Sequence, residues 1–367
     1  MKILHLTLGL RSGGVAQVVY DLGKDQVERG NEVAVVSIHH SSYKEEPKRF
    51  EEIGIKVIQR VLNSRFDFRI IVWLAKEMRK YDLVHVHLFP NQLYAPIALR
   101  LIPAKQRPKL ITTEHNTWNN RRNYKQLRVV DRWMYGIYDK IVAISPETNK
   151  SLNNWLESDK LRNKIITINN GIEIPKFKNA PDNLFSILNI PADSICIGMV
   201  CRMEAPKDPA TLIRAGAKVQ GLHIILIGDG PLLPELKRLA ESLDMTNRCH
   251  FLGNQKNVAQ LLKGLKIGCL STDWDGFGLV AVEYMAAGLP VLVSDVVGLR
   301  DVVGDKDALF PKGNHEILEE KIQKLLTDED YYNKKKMYSN ERCEDFSVIK
   351  TADAYWSLYR SLVKDFE

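Results

Sequence analysis

Residues 267–294 read IGCLSTDWDGFGLVAVEYMAAGLPVLVS, and this stretch decides the fold. The apolar runs Ile267–Leu270 and Val291–Ser294 have the length and residue types of buried strands. Between them, a glycine-rich turn leads into an apolar stretch of helical length. A strand, a helix and a strand in this order predict a βαβ unit with parallel strands.

Similar β-branched runs alternate with amphipathic stretches in both directions from this unit. The alternation is typical of a parallel sheet with crossover helices, so the chain is predicted to be an α/β protein. The predicted strands cover residues 3–8, 33–38, 56–61, 83–88, 110–113, 141–144 and 165–168 in the first half, and 195–200, 224–227, 250–252, 267–270, 291–294 and 309–310 in the second.

The length of 367 residues exceeds the size at which one hydrophobic core usually stops growing, so two domains are expected. Residues 171–194 are rich in Pro, Asn and Asp, which predicts a linker. We therefore expect one domain at 1–170, another at 195–347, and a closing helix at about 348–367 that can pack on either. Two Rossmann-like doubly wound domains would face a central cleft, with ligands at the carboxyl ends of the strands.

The composition, with 45% hydrophobic and 26% charged residues, is that of a folded globular protein. No apolar run reaches the roughly 18 residues of a membrane span, and the N-terminus lacks a signal-peptide pattern, so a cytoplasmic location is expected. The five cysteines are never spaced as CxxC, so neither a disulfide nor a zinc site is expected. The net charge of +7 is modest for this length, and no nucleic-acid partner is expected.

A basic segment interleaved with aromatic residues lies at 118–133. It contains Arg121, Arg122, Lys125 and Arg128 beside tryptophan and tyrosine. Such a run is either a solvated helix face or a contact for an anionic membrane or a phosphate-bearing acceptor. The second interpretation predicts peripheral association with the inner face of the plasma membrane.

The loop after the first predicted strand holds the paired glycines Gly13 and Gly14, preceded by Arg11 and Ser12. Paired glycines allow a ligand to approach the backbone, and the helix that follows offers free N–H groups to an anion. GxGxxG is absent and no acid follows at the usual distance, which disfavours an NAD enzyme. A tight turn without a ligand remains an alternative.

The segment 273–290 carries the strongest local signal. Glu283 lies in the second turn of the predicted helix among apolar neighbours, where an acid is costly unless it binds something. A carboxylate can accept both hydroxyls of a ribose, and the backbone amides of 276–279 suit a diphosphate. The alternative is an acid favoured near a helix N-terminus by the helix dipole.

The loop after the strand at 195–200 carries Arg202 and Lys207. Two cations five residues apart can straddle a diphosphate and stabilise a departing nucleotide, in place of a divalent metal. A loop with two basic residues is by itself more often a solvated surface.

These motifs together resemble the retaining GT-B glycosyltransferases of the family 4 type. In the second half the shared pattern spans 198–304, and in the first half it is weaker. It comprises Arg202 with Lys207, GDGP at 228–231, FLG at 251–253 and an acid-x7-Glu element ending in AAGLPV at 286–291, then GG at 13–14, HVH at 85–87, TEHN at 113–116, AIS at 143–145 and NNGI at 169–172.

The resemblance implies roles for single residues. Arg202 and Lys207 would hold the donor diphosphate and Glu283 the ribose. Asp275 stands where the family has a glutamate, one methylene longer, and this change would affect which sugar is accepted. His115 would face the reacting sugar as a hydrogen-bond donor or acceptor. The other donor-binding residues implied are Gly13, Gly14, Gly253, Gly276, Phe277, Gly278 and Leu279.

No cofactor and no metal are expected. His85 and His87 share one face of a strand, a spacing that permits metal binding, but no third ligand is evident nearby in the sequence.

The resemblance implies transfer of a hexose or N-acetylhexosamine from a nucleotide-sugar, expected to be a UDP-sugar, with retention of configuration. The acceptor would be a sugar or a lipid-linked oligosaccharide in capsular or exopolysaccharide biosynthesis. Three rivals remain: a sugar phosphorylase, for which no pyridoxal lysine can be placed, a nucleotide-sugar epimerase, and a catalytically silent nucleotide-binding protein of the same fold.

Overall fold

The structure is a computed structural model that describes residues 1–10, 13–40, 47–62, 67 and 69–363. It divides into two compact units. The first contains Met1–Asn170 and the C-terminal segment from Ile349, and the second is Gly171–Val348. Residues 364–367 of the predicted closing helix lie outside the described part of the chain.

Among the described residues, the sheet of the first unit has seven parallel strands in the order β3-β2-β1-β4-β5-β6-β7. The order reverses direction beside β1, which is the hallmark of a doubly wound sheet. The strands are β1 (Lys2–Thr7), β2 (Glu32–His40), β3 (Lys56–Leu62), β4 (Leu83–His87), β5 (Lys109–Glu114), β6 (Lys140–Ala143) and β7 (Ile165–Thr167).

Helices connect these strands and cover both faces of the sheet. Successive side chains of a strand point to opposite faces, so each central strand feeds two cores. The helices are α1 (Gly14–Glu28), α2 (Lys48–Glu51), α3 (Arg69–Met78), α4 (Asn91–Leu101), α5 (Leu127–Ile137), α6 (Pro146–Leu156) and α7 (Asp159–Arg162), with 3-10 turns at Ala104–Gln106 and Asn120–Asn123.

The C-terminal helix belongs to the first unit. Its buried residues Tyr355 and Tyr359 share a hydrophobic cluster with Ile3, Leu83 and Ile111 from the central strands. The helix therefore completes one face of the first sheet, although it follows the whole second unit in sequence.

The second unit repeats the architecture with six parallel strands in the order β10-β9-β8-β11-β12-β13. The strands are β8 (Ile195–Val200), β9 (Leu222–Ile227), β10 (Cys249–Phe251), β11 (Ile267–Leu270), β12 (Val291–Ser294) and β13 (Leu309–Phe310). The prediction of two doubly wound α/β domains is confirmed, and each predicted strand matches an observed one to within two residues at either end.

The helices of the second unit begin inside the segment predicted to be a linker. Residues 171–194 contain two short helices, α8 (Ile174–Lys178) and α9 (Leu184–Leu188), that pack on other helices of this unit. Ile174, Phe177 and Leu184 are buried there, so these apolar residues make the segment part of the domain rather than a free connection.

The remaining helices carry the labels used below. They are α8 (Ile174–Lys178), α9 (Leu184–Leu188), α10 (Pro209–Ala217), α11 (Leu233–Ser242), α12 (Val258–Lys263), α13 (Leu279–Ala286), α14 (Val297–Val303), α15 (His315–Thr327), α16 (Glu329–Cys343) and, in the first unit, α17 (Val348–Leu362), with 3-10 turns at Lys306–Ala308 and Glu344–Phe346. Among the described helices, none combines the length and apolar composition needed to cross a membrane.

Candidate functional site

Glycines bring two loops of the second unit into backbone contact at the carboxyl end of its sheet. Gly228 ends β9 at a φ of 133°, and a Cβ there would overlap the carbonyl oxygen of Cys201. A Cβ on Gly230 would likewise overlap the carbonyl oxygen of Met203. The amide of Met203 donates to the carbonyl of Asp229 at 2.9 Å. The glycines of the GDGP motif are therefore explained by the close packing of the loop after β8.

The same loop is tied to the loop after β11. The amide of Asp208 donates to the Ser271 carbonyl at 3.1 Å, and the amide of Asp273 donates to the Pro206 carbonyl at 2.9 Å. The Thr272 hydroxyl donates to the same Pro206 carbonyl at 3.0 Å. These bonds hold the loop after β8 beside the glycine-rich turn, so Lys207 and Asp275 meet although 68 residues separate them.

Both predicted diphosphate-binding cations have carboxylate partners in the structure. Lys207 forms an ion pair with Asp275, and both side chains are mostly buried. Arg202 pairs with Glu204, but its side chain is 78% exposed. The sequence analysis placed Lys207 and Asp275 at the site and missed their pairing, because spacing alone does not show which loops touch. Arg202 remains open to solvent.

Asp275 uses both of its carboxylate oxygens within the protein. Oδ2 faces Lys207, and Oδ1 accepts a hydrogen bond from the amide of Phe277 at 3.1 Å. A Cβ on Gly298 would overlap the carbonyl oxygen of Asp275, so α14 begins in contact with this turn. The side chain predicted to contact the sugar therefore closes the glycine-rich turn in this structure.

The turn leads directly into α13. Gly278 precedes the helix with a φ of 85°, a conformation that favours glycine, and a Cβ there would meet the side chain of Leu299. Phe277 is buried and packs edge-on against Phe346, with ring centroids 5.5 Å apart. Gly276 and Leu279 are partly exposed at the same place. Phe277 thus anchors the turn while its neighbours stay accessible.

Glu283 lies in α13, and its side chain is only partly exposed. Burial raises the pKa of its carboxyl to about 7, and the positive charge of Lys176 opposes the shift. No other described residue donates a hydrogen bond to this carboxylate. An unpaired, desolvated carboxyl is suited to receive hydroxyl donors from a ligand.

Tyr284, the next residue along the helix, fixes the position of α13. Its hydroxyl accepts a hydrogen bond from the amide of Val200 at 2.7 Å and donates to the carbonyl of Cys269 at 3.2 Å. Its ring lies where a Cβ on Gly268 would be. The sequence analysis did not single out Tyr284, although a glycine inside a strand can signal such a close approach.

Another glycine of the predicted site, Gly253, lies after β10. Gly253 has a φ of 62° and accepts a hydrogen bond from the amide of Gly228 at 2.8 Å. The second unit therefore gathers Arg202, Lys207, Gly253, Asp275, 276–279 and Glu283 on loops and a helix that follow the carboxyl ends of its strands.

The remaining predicted residues belong to the first unit. Gly13 and Gly14 are exposed at the start of α1, where the Gly13 carbonyl accepts the Gln17 amide at 2.9 Å. Arg11 and Ser12 of the same loop lie outside the described residues.

His115 follows β5 and is one of four buried histidines that lie in contact. His87 Nδ1 is 3.0 Å from His115 Nε2, and His87 Nε2 is 3.1 Å from His5 Nδ1. His85 lies beside them and bonds to Thr113. Burial lowers the pKa of His115 to about 3 and that of His5 to about 4. The rings are therefore neutral near pH 7.

His5 is a third histidine beside His85 and His87, which the sequence analysis did not place near them. It pairs with His85 across β1 and β4, and one nitrogen from each of His5, His85 and His87 lies within 4.8 Å of the others. Each of their six ring nitrogens already has a protein partner, among them Gln26, Tyr359 and Thr113. A metal would have to displace several of these bonds, so the contacts favour a hydrogen-bonded cluster.

Several buried amides of the first unit have no hydrogen-bond partner among the described residues. Both polar atoms of Asn91 and of Asn119 are in this state, as is Oδ1 of Asn170. Asn91 follows β4, and Asn170 follows β7, both at the carboxyl edge of the sheet. Buried amides without partners are costly, which is consistent with a polar ligand at this edge.

Three of the four basic side chains predicted to form a cationic surface instead contact acidic or carbonyl groups of the protein itself, so that prediction is wrong. Arg121 forms an ion pair with Asp131 at 3.2 Å, and Arg128 pairs with Glu157. Arg122 is buried and donates to the carbonyl of Thr117 at 2.7 Å. Only Lys125 of the four is exposed. The sequence could not show this because the acids lie elsewhere in the chain or on the inner face of α5.

The outer face of α5 is instead apolar. Val129 is 68% exposed and Trp133 is 44% exposed, with Val130 between them. Trp118 and Tyr124, from the segment before the helix, are also exposed.

Comparison with known proteins identifies a family for each half. Residues 12–175 match the family described as Glycosyltransferase Family 4, and residues 181–342 match the family described as Glycosyl transferases group 1. The first match ends at residue 175 and the second begins at residue 181, close to the boundary between the two units at residues 170 and 171. Each family model therefore corresponds to one unit.

Two relatives match over most of the chain. The chain is 26% identical to the N-acetyl-alpha-D-glucosaminyl L-malate synthase of Bacillus anthracis over 96% of its length and 95% of the relative's. It is 25% identical to the UDP-Gal:alpha-D-GlcNAc-diphosphoundecaprenol alpha-1,3-galactosyltransferase of Escherichia coli, over 81% of this chain and 80% of that protein.

Among solved structures, the chain is similar to Anabaena HepE in complex with UDP and glucose. The TM-score is 0.85 at 19% identity, covering 99% of this chain and all of the other. At this identity the similarity shows the fold alone.

Proposed function

Because the chain belongs to the GT-B glycosyltransferases of family 4 and group 1, we propose that it transfers a hexose or N-acetylhexosamine from a UDP-sugar with retention of configuration. The acceptor in this proposal is a sugar or a lipid-linked oligosaccharide. Activity on a nucleotide-sugar is common to its family, whereas the base, the stereochemistry and the acceptor are specific to the proposal.

One observation carries the proposal for the donor. Arg202, Lys207, the glycine-rich turn and Glu283 all follow the carboxyl ends of strands of the second sheet, and Lys207 pairs with Asp275 of that turn. In the proposal, Arg202 and Lys207 bind the diphosphate, and the backbone at 276–279 contacts the sugar and its phosphate. Glu283, whose carboxyl lacks a donor among the described residues, accepts the two ribose hydroxyls.

The proposed reaction exchanges one bond to the anomeric carbon for another on the same face of the sugar. The acceptor hydroxyl oxygen bonds to the anomeric carbon as the bond to the diphosphate oxygen breaks. The acceptor proton passes to that departing oxygen, so the products are the glycoside and UDP. The positive charges of Arg202 and Lys207 stabilise the negative charge that develops on the diphosphate. This role for two fixed cations makes the proposal independent of a metal.

A ligand screen tests the donor assignment. Thermal unfolding is measured with UDP-, GDP- and ADP-sugars, because a ligand that binds the native state raises the melting temperature. The proposal expects the largest rise with a UDP-sugar and no loss of that rise in EDTA. A rise confined to GDP or ADP compounds contradicts it, and a rise that EDTA abolishes contradicts metal independence.

The stereochemical proposal has its own test. Proton NMR of the product formed from an α-linked UDP-sugar reads the configuration at the new linkage. An α-linked product supports retention, whereas a β-linked product rules it out.

One observation favours the alternative of a catalytically silent nucleotide-binding protein. Lys207 is neutralised by Asp275, the residue that replaces the family's glutamate, which suits a protein that binds nucleotide without cleaving donor. Release of free UDP from UDP-sugar in the presence of acceptor separates the two: steady release supports the transferase, and binding without release supports the silent protein.

For the acceptor, we propose a lipid-linked sugar at the inner face of the membrane, in capsular or exopolysaccharide biosynthesis. The Escherichia coli relative acts, by its name, on a diphosphoundecaprenol-linked sugar. In this chain, the exposed face of α5 with Val129, Val130 and Trp133, beside exposed Lys125, has the apolar and cationic character of a helix that lies on a membrane surface. The contact in this proposal is apolar, not a set of four cations.

Liposome flotation tests the membrane contact. Trp133→Ser with Val129→Ser should lower binding to vesicles that contain phosphatidylglycerol. The matched control is Val72→Ser, a residue 55% exposed on α3 of the same unit, which should bind like wild type. Equal binding by all three proteins would refute the assignment of α5.

A further inference from the structure

A line of buried polar side chains runs through the first unit and ends at His115. His115 Nε2 is 3.0 Å from His87 Nδ1, His87 Nε2 is 3.1 Å from His5 Nδ1, and His5 Nε2 is 2.9 Å from Gln26 Oε1. The residues come from β1, α1, β4 and the end of β5. We call these four residues the histidine line.

The amide of Gln26 sets the direction of the first bond. Its Nε2 donates to the hydroxyl of Tyr359 at 3.4 Å, and its Oε1 faces His5. An amide oxygen has no hydrogen to donate, so His5 Nε2 must carry the proton. A neutral imidazole has only one N–H, and His5 Nδ1 is therefore an acceptor.

The same rule then fixes the next two rings. His87 Nε2 must donate to His5 Nδ1, which leaves His87 Nδ1 as an acceptor. His115 Nε2 must in turn donate to His87 Nδ1. The remaining nitrogen, His115 Nδ1, is left with a lone pair, and no described residue forms a hydrogen bond to it.

This assignment of donors and acceptors holds only if the imidazole rings are neutral, and their burial keeps them so. Burial lowers the pKa of His5 to about 4 and of His115 to about 3, and that of His87 lies well below the usual range for the same reason. The neighbouring histidines also repel a proton on His87. Each ring of the line thus carries a single proton at pH 7.

We propose that Gln26 is a positioning residue that, through His5 and His87, holds His115 in the tautomer whose Nδ1 lone pair is open to accept a hydrogen bond from a hydroxyl group of a bound sugar. The tautomer follows from the orientation of the Gln26 amide, whose Nε2 donates to Tyr359 and whose Oε1 faces His5. Its use toward a sugar rests on the proposed function. A turned amide at Gln26 would reverse all three rings and present an N–H at His115 instead, so a single side chain decides whether this residue accepts or donates.

The tautomer is measured directly on the full chain. Histidines are labelled with nitrogen-15, and long-range proton–nitrogen correlation at pH 7.5 shows which ring nitrogen is protonated. We expect Nε2–H at His5, His87 and His115, with resonances assigned by their loss in single His→Asn variants. Protonation of Nδ1 at these residues would overturn the proposal, with no activity assay involved.

Gln26→Met tests the positioning role. Methionine has similar length and no hydrogen-bonding group, so the line loses its fixed end and His115 should show both tautomers. The matched control is Gln92→Met, which removes another buried amide of the same unit, one that donates to Thr112 outside the line. An unchanged His115 tautomer in Gln26→Met would refute the role of Gln26, whatever the enzyme transfers.

Transfer kinetics test the use of the lone pair. A neutral hydrogen bond contributes an amount that corresponds to about a two- to tenfold change in rate, so kcat/KM should fall by this factor in Gln26→Met beyond any loss in Gln92→Met. His115→Asn keeps an acceptor near the Nδ1 position and should retain more activity than His115→Gln. A mixed tautomer with unchanged kcat/KM would leave the tautomer control standing but refute the contact with sugar.

Discussion

The ammonium group of Lys207 pairs with the carboxylate of Asp275 and thereby joins the loop after β8 to the turn before α13. The same carboxylate accepts a hydrogen bond from the Phe277 amide, so it closes the turn and at the same time neutralises the lysine. A diphosphate that binds here competes with Asp275 for one cation. The pair is therefore expected to control how strongly the nucleotide is held.

Asp275→Asn should tighten UDP binding by about two- to tenfold. The amide oxygen can still accept from Phe277, but the charge that competes with the diphosphate is gone. Isothermal titration with UDP measures the change. Asp273→Asn is the matched control, because Asp273 lies in the same loop as Asp275 but pairs with Lys312 at an exposed position. This variant should leave the affinity for UDP unchanged. Weaker UDP binding in Asp275→Asn would contradict the competition.

Lys207→Ala should lower kcat by about 10²- to 10³-fold, because a fixed positive charge near the departing diphosphate is lost. The variant also leaves Asp275 unpaired and costs some stability. The double variant Lys207→Ala/Asp275→Asn removes that unpaired charge, so its melting temperature should recover while its turnover stays low. Recovery of turnover together with stability would show that Lys207 acts only on the fold.

Glu283→Gln should raise the free energy of unfolding at pH 8 and leave it unchanged at pH 4. The pKa of Glu283 is about 7 in the folded protein and 4.5 in the reference state. Between these values the unfolded chain loses a proton that the folded chain keeps, so stability falls as pH rises. The penalty is complete above pH 7, at most about 3 kcal/mol, and glutamine removes it.

Urea unfolding of wild type and Glu283→Gln at the two pH values measures this effect. Glu320→Gln, an exposed glutamate of α15, is the control and should show no such difference. The Glu283 variant should also bind UDP more weakly, since the ribose loses its carboxylate. A gain in stability at pH 8 with unchanged UDP affinity would remove Glu283 from the nucleotide site.

Gly228→Ala should disrupt the site through the backbone. Its Cβ would overlap the Cys201 carbonyl, so the loop that carries Arg202 and Lys207 must move. Gly221→Ala is the matched control, because Gly221 also has a positive φ, 72°, but open space around it. Circular dichroism melts and UDP titrations should show a larger loss at Gly228. Equal losses would mean that strain in φ alone accounts for the effect.

Tyr284→Phe should lower stability by about 1–3 kcal/mol, because the buried Val200 amide loses its acceptor. The ring still fills the space beside Gly268, so the fold persists. Urea denaturation measures the loss. Tyr331→Phe on α16 is a control at a less buried tyrosine and should change stability little.

The order of the elements could be predicted from the sequence because hydrophobic periodicity is a local property. Thirteen strands and the division near residue 170 follow from the apolar runs between helical stretches. The glycines at 228, 230 and 278 could also be recognised, since backbone approach and positive φ admit few other residues. Residues 171–194 were misjudged, because their composition hides buried Ile174, Phe177 and Leu184.

Tertiary structure alone decided which charged and polar groups meet. Arg121 and Arg128 of the predicted basic surface form ion pairs with Asp131 and Glu157. Lys207 forms an ion pair with Asp275. The register of β1 against β4 sets His5 directly across from His85, and α17 returns from the far end of the chain to place Tyr359 beside it. Burial patterns repeat along a few residues, whereas an ion pair or a hydrogen bond requires two groups within about 3 Å, which only the packed chain determines.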